Sequence, residues 1–314
     1  MTTNPFTITV YIPSYNQIEY LQGAIESVLN QTRVPDQILI VDDASTDGSQ
    51  ELIREYQSKH PEIISTVFNE SRQGIGSVRR IAIEASTGDF VTYLDGDDLY
   101  YPQKIEAEES ALVENPDAGY VYSNFHFIDE QGREGEVWND TGQYPTGDIF
   151  DHYMGFDFPG GVSNRCELVR RKILIETDHY ESGLNLYQVT DAMMRVARLC
   201  TCVAVSKPTH AYRRHCRGVH RKPYTTHYDA LKYIYQKNIH LLDRLDAARQ
   251  KKIRSKVNQV LARYAWKSVK QMAKGDPNTD SKRAICFAKA GFTHSPSSVL
   301  NPKHAIRTIR AAVR

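Results

Sequence analysis

The chain has 314 residues, 40% hydrophobic and 25% charged, with a formal net charge of +1, which is the profile of a folded globular protein and excludes a disordered or fibrous one. No stretch approaches eighteen uninterrupted apolar residues, the start Met1 to Pro5 lacks the basic and apolar regions of a signal peptide, and the five cysteines are unpatterned. The expectation is a cytoplasmic protein with reduced thiols; Cys200-x-Cys202 with His210 or His215 has the wrong spacing for zinc. The near-zero net charge hides a split: residues 249–314 hold sixteen Lys or Arg against two acids, about +14, leaving about −13 elsewhere.

In chain order, Ile8 to Ile12 reads as a strand stopped by Pro13-Ser14-Tyr15-Asn16. Leu21, Ala24, Ile25, Val28 and Leu29 then recur at helical spacing. Gln37 to Val41 forms a second strand, followed by a turn rich in helix caps (Asp42 to Ser49) and a helix with Leu52, Ile53 and Tyr56 on one face. A third strand, Ile63 to Phe68, leads through Gly74-Ile75-Gly76 into a helix with Val78, Ile81, Ala82 and Ala85. The fourth strand, Phe90 to Leu94, runs into Asp95-Gly96-Asp97-Asp98. Tyr101-Pro102 opens a further helix, Gly119 to Asn124 a further strand, and Glu130 to Arg133 a turn. Residues 134–160 show no period and read as a loop region over the acceptor side. Asp191 opens a helix carrying Met194, Ala197 and Cys200, and residues 228–245 read as helical.

Strands alternating with amphipathic helices predict an α/β layer structure with a largely parallel sheet, whose ligands bind at the carboxyl ends of the strands. Those ends carry Pro13 to Asn16, Asp42-Asp43 and Asp95 to Asp98. Three carboxylates within four residues need a cation, and in an extended segment Asp95 and Asp97 project to one side, offering hard oxygens to one Mg²⁺ or Mn²⁺. An EF-hand reading fails at Leu99 and Tyr100, where a ligand and a glycine are required. Gly74-x-Gly76 lacks the third glycine of a dinucleotide fingerprint, having Arg79 there.

Val10 to Asn16, Ile40 to Ser49, Gly74 to Arg79 and Gly88 to Asp98 resemble, in order and spacing, the successive motifs of family 2 glycosyltransferases with the GT-A fold, over roughly residues 6–215. The resemblance implies a Rossmann-like, mainly parallel sheet flanked by helices over residues 1–222, with a basic helical extension over 223–314. It implies a donor site from Pro13, Tyr15, Asn16, Asp42, Asp43, Gly74, Arg79, Asp95, Gly96, Asp97 and Arg213. It also implies Mn²⁺ or Mg²⁺ on Asp95, Asp97 and His215, and Asp191 as general base. By composition alone Asp191 reads as a helix cap, and only its place in the resembling motif makes it a base; His215 reads equally as a surface histidine among arginines. Where the family has Ala-Arg-Asn and Glu-Asp, this chain has Val78-Arg79-Arg80 and Thr190-Asp191.

The implied activity is inverting transfer of a sugar from a nucleoside diphosphate, UDP by family habit, to a hydroxyl of a glycan or lipid-linked acceptor. The rivals are a sugar-phosphate nucleotidyltransferase, which would need an early glycine-rich basic loop, and a non-catalytic nucleotide- or nucleic-acid-binding protein; no nucleic-acid partner is expected. At 100° per residue Lys303, Arg307, Arg310 and Arg314 share one side and Ile306, Ile309 and Val313 another. That pattern either lays the C-terminal helix on an anionic membrane, peripheral on the inner face of the cell membrane, or packs it on preceding helices or in a homo-oligomer.

Overall fold

The computed structural model describes residues 5–161, 164–272 and 281–294. In chain order the elements are β1 (Ile8–Ser14), α1 (Ile18–Leu29), β2 (Gln37–Asp42), α2 (Ser49–Lys59), β3 (Ile64–Phe68), α3 (Ile75–Ala85), β4 (Phe90–Tyr93), β5 (Leu99–Tyr100), α4 (Lys104–Glu114), β6 (Ala118–Ile128), β7 (Glu134–Val137), α5 (Phe150–Gly155), β8 (Leu168–Arg170), α6 (Arg171–Glu176), α7 (Gln188–Leu199), β9 (Thr201–Arg213), α8 (Tyr224–Asn238), α9 (Ala247–Met272) and α10 (Ser281–His294). Two compact units result. One runs from the N-terminus to Tyr153 and from Phe158 to His215; the other comprises Met154–Asp157 and the chain from Cys216 onward.

The first unit is a curled sheet of order β3-β2-β1-β4-β8-β6-β9-β5, with β7 paired to β6. Strands β1 to β4 are mutually parallel where they pair. Every residue of β1 and of β2 is buried, as expected of strands covered on both faces, which explains their nearly continuous apolar runs. Helix α1 buries Leu21, Ala24, Ile25 and Val28, the spacing of a single helical face.

Three elements depart from the sequence expectation. The stretch 134–160, read as loop, contains β7 and α5 and contributes Trp138, Phe150, Tyr153 and Phe158 to the core. These aromatics are spaced without period because they pack on one another and on β6: Trp138 lies 5.3 Å from Phe125 and Phe158 lies 4.8 Å from Tyr153, between ring centroids. The short β8, antiparallel to both β4 and β6, is only three residues long and gives no alternation to read. The helix read over 228–245 is α8 from Tyr224, ending in a tighter turn at Ile239–Leu242.

In the second unit α8, α9 and α10 pack together, Tyr228 meeting Phe287 edge-on at 5.1 Å and Trp266 lying against Gly291. A Cβ on Gly291 would come 2.8 Å from the Trp266 Nε1, so the close approach of these helices requires glycine. Among the described residues no helix is long and apolar enough to cross a membrane. The terminal pattern of Lys303, Arg307, Arg310 and Arg314 lies outside the described residues.

One ion pair is enclosed in the first unit. The side chains of Lys104 and Glu108, one turn apart on α4, are fully buried and paired with each other. Lys104 also donates to the Cys166 carbonyl at 3.0 Å and lies 4.7 Å over the Tyr100 ring, while the Ser123 hydroxyl donates to Glu108. Burial raises the Glu108 carboxyl above its ordinary range, with Lys104 pulling the other way. Lys104→Met strands that carboxyl and is expected to cost about 3–5 kcal/mol in urea unfolding at neutral pH. Because the stranded carboxyl is protonated more readily when folded than unfolded, the cost should shrink as pH falls toward the unfolded carboxylate value. A pH-independent cost would contradict this account.

Candidate functional site

The chain passes from β1 outward to β2 and β3, then returns to β4 on the other side of β1. The polar ends of β1 and β4 meet at this switch point, Gly96 standing against Pro13 and Gln17, at the edge of the sheet where open α/β folds bind their ligands. This rim is folded by the polar residues that end β1 and β2. Asn16, at φ 50°, accepts the Thr46 N–H at 2.8 Å and donates its own N–H to Ser45 Oγ at 2.9 Å. Asp42 is fully buried and accepts the Ser45 N–H at 2.9 Å and Gln50 Nε2 at 3.0 Å. Asp43 accepts Asn69 Nδ2 and the N–H groups of Gln73 and Gly74, each at 2.8 Å, and so ties the glycine turn to the end of β2. Tyr15 carries the Arg72 guanidinium 4.2 Å above its ring.

The acidic stretch turns rather than running extended: the Asp98 N–H bonds the Asp95 carbonyl at 2.9 Å. Asp95 and Asp97 consequently reach different partners, contrary to the side-by-side projection expected of a strand. Asp95 is gripped by two arginines, Arg79 on one oxygen and Arg165 on the other at 2.6 Å. Arg79, 2% exposed, lies 4.1 Å from the Tyr93 ring centre and donates to the Tyr11 hydroxyl at 3.2 Å. Asp97 Oδ2 lies 2.9 Å from His215 Nε2, and the Tyr20 ring is 5.4 Å from that imidazole. Asp98 is fully buried, accepting the Arg213 N–H at 2.8 Å and meeting Arg165 at 3.3 Å. Burial pushes its carboxyl well above the ordinary range, and Asp97 adds to this while Arg165 opposes it. Gly96 sits close to its neighbours, a Cβ there standing 2.7 Å from Gln17 Oε1 and 3.3 Å from the Pro13 carbonyl.

These contacts follow from strand register. Strand β5 pairs antiparallel with β9, Leu99 opposite Ala211, so the residues before Leu99 are brought to those after Ala211. Arg213 is thereby committed to backbone: it donates to the carbonyl of Asp97 at 2.8 Å and to those of Asp129 and Glu130 at 3.0 Å, with Tyr20 stacked 4.8 Å away.

Asp191 lies in the first turn of α7 and is fully buried, its Oδ2 accepting Arg195 Nη1 at 2.9 Å. Arg195 also donates to the carbonyls of Thr177, at 2.8 Å, and His179. The neighbouring Tyr180 hydroxyl accepts from Tyr11 at 3.2 Å, and Tyr11 in turn holds Arg79. A continuous set of contacts thus joins Asp95 to the segment that anchors Asp191. Arg80 pins the same segment through Asp178 at 3.1 Å and the Tyr180 carbonyl at 3.3 Å. The start of α3 presses on it as well: a Cβ on Gly76 would meet the Glu181 carbonyl at 2.2 Å, and one on Gly74 would meet Asn185 Oδ1 at 2.7 Å.

Sequence reasoning missed Arg165, Tyr11, Tyr20 and Arg195. Arg165 sits in a stretch without periodicity. The available signal was electrostatic, since crowded carboxylates need cations and an arginine can serve as well as a metal. Arg195 stands one helical turn after Asp191, a spacing that pairs opposite charges. Among the described residues no cluster of three or more His, Cys, Asp or Glu side chains is disposed to hold an ion. A surface groove lined by Leu29, Val34, Tyr56, His60 and Ile63 shares no residue with this site.

The chain is 41% identical over 122 residues to an uncharacterized glycosyltransferase of Nostoc sp., covering 39% of this chain and 36% of that one. Curated relatives matched in this way are covered over only 18% to 50% of their own length. Among solved structures, S. aureus TarS (residues 1–349, in complex with UDP-GlcNAc) superposes with a TM-score of 0.69 at 16% identity, over 98% of this chain and 89% of that one. The mannosyltransferase PcManGT of Pyrobaculum calidifontis, in complex with GDP-Man and Mn²⁺, superposes with a TM-score of 0.61 at 16% identity, over 99% and 85%. These likenesses establish a GT-A type fold. The sequence pattern of glycosyl transferase family 2 matches residues 9–177, more than half of the chain, and the chain belongs to that family.

Proposed function

We propose that the protein transfers a sugar from a nucleoside diphosphate donor, UDP-linked, to an acceptor hydroxyl of a glycan or lipid-linked glycan, with inversion and with the help of a divalent metal. The observation that carries this reading is the strand-end assembly in which Asp97 and His215 stand paired, Asp95 is held by two arginines, and a buried Asp191 is joined to the same set of contacts. Family membership supports glycosyl transfer, and the donors bound by TarS and PcManGT support a nucleotide sugar.

Asp97 and His215 fit a hard divalent ion. They offer one carboxylate oxygen and one imidazole nitrogen 2.9 Å apart, and the Asp97 side chain is 18% exposed, so it remains open to a ligand. The rest of such an ion's coordination belongs to the diphosphate and water. When bound, Mn²⁺ or Mg²⁺ would neutralise charge developing on the departing diphosphate. Asp95, occupied by Arg79 and Arg165, serves the donor's ribose rather than sharing the ion. Arg213 acts through the backbone it ties, holding Asp97 and Asp98 in their turn. The rim built by Pro13, Tyr15, Asn16, Asp42, Asp43, Gly74 and Gly96 receives the base and sugar.

Asp191 takes the acceptor's proton. Arg195 fixes its carboxyl group on the first turn of α7. Residues 1–222 would form the catalytic domain and 223–314 a helical extension.

Asp97→Ala should abolish the Mn²⁺-dependent part of UDP binding in calorimetry, and His215→Ala should weaken it; unchanged affinity in both would remove the ion from this site. Asp191→Asn should leave donor binding intact and lower kcat about a hundred- to ten-thousand-fold, because an amide keeps the shape but takes no proton. NMR of the product linkage should show inversion at the anomeric carbon, and retention would overturn the mechanism.

A further inference from the structure

We propose that one face of α9 is a docking surface for an anionic phospholipid bilayer, independent of the donor site. Helix α9 contains no acid over its 26 residues. At 100° per residue, Arg249, Lys252, Lys256, Arg263, Lys267 and Lys270 all fall within about 60° of one another, along roughly 31 Å of helix. The apolar residues Ile253, Val257, Val260, Leu261, Ala265 and Val269 are buried on the adjoining arc, which begins beside Arg249 and Lys267. Packing of that arc fixes the rotation of the helix and leaves most of these six cations facing outward, while Lys251 and Arg254, also exposed, lie on a different side. Lys252, Arg263, Lys267 and Lys270 are exposed, and Lys256 also pairs with Asp157 at 2.9 Å.

Two features favour lipid over a soluble polyanion. Beside the C-terminal end of the row, Tyr224 is 37% exposed and lies 5.0 Å from Lys267 Nζ, and Val219 in the preceding turn is 45% exposed. An aromatic and an aliphatic side chain next to cations suit the headgroup region of a bilayer. A rigid row on a straight helix also meets a plane along its whole length, where each basic residue adds attraction to an anionic leaflet.

The test uses the full chain in co-sedimentation with phosphatidylglycerol–phosphatidylcholine vesicles and with phosphatidylcholine vesicles alone. Binding should require phosphatidylglycerol and weaken with salt. The variant Arg263→Ser/Lys267→Ser/Lys270→Ser should bind on the order of a hundred-fold more weakly. A charge-matched control, Lys59→Ser/Lys172→Ser/Lys207→Ser, should bind nearly as the parent does. Tyr224→Ser should weaken vesicle binding while leaving retention on immobilised polyphosphate unchanged. Circular dichroism and the thermal shift produced by UDP confirm that each variant is folded with its donor site intact. Absence of vesicle binding by the parent, equal losses in the two triple variants, or retention on polyphosphate without vesicle binding would each overturn the proposal.

Discussion

Three carboxylates crowded into four residues at the end of β4 are the constraint on which the rest of the first unit depends. Carboxylates that close repel one another and are costly to bury, so the fold must bring cations and N–H donors to them. It does so from four distant places: Arg79 from α3, Arg165 from the segment before β8, the Arg213 N–H from β9, and His215 just beyond it. Each of these elements is oriented by the need to reach the same short loop. The antiparallel pairing of β5 with β9 and the insertion of β8 beside β4 can both be understood as the topology that delivers those partners.

The consequence is a division of labour among residues that look equivalent in one dimension. Asp98, fully buried and bound by backbone, supports the turn. Asp95 is neutralised by two arginines, while Asp97 keeps a single imidazole partner and stays open to a ligand. Asp42 and Asp43 differ in the same way: the first folds its own turn, whereas the second reaches across to fasten the glycine turn. The neighbouring arginines Arg79 and Arg80 also diverge, one toward the acidic loop and one toward the segment that precedes α7. Because the two arginines sit on one helix, the position of Asp191 is mechanically tied to that of Asp95.

The second unit follows simpler physics. Its helices are amphipathic, and burial of the wide apolar arc of α9 leaves a row of cations exposed beside it.

The sequence by itself determined the parallel half of the sheet, because β1 to β4 and the helices between them are local patterns of period two or 3.6 that burial on both faces makes strongly apolar. It also marked the polar strand ends that the fold gathers at one edge of the sheet, since turn formers and acids there break those patterns conspicuously. Only the tertiary structure decided the antiparallel half, where β8 is too short for periodicity and the aromatics of 134–160 pack across strands rather than along one. It alone decided how the acids are partnered, because Arg165, His215 and Arg195 gain their meaning from register and helix packing over long sequence separations. A run of like charges announces that counter-charges must come. Which residues bring them is a property of the folded chain.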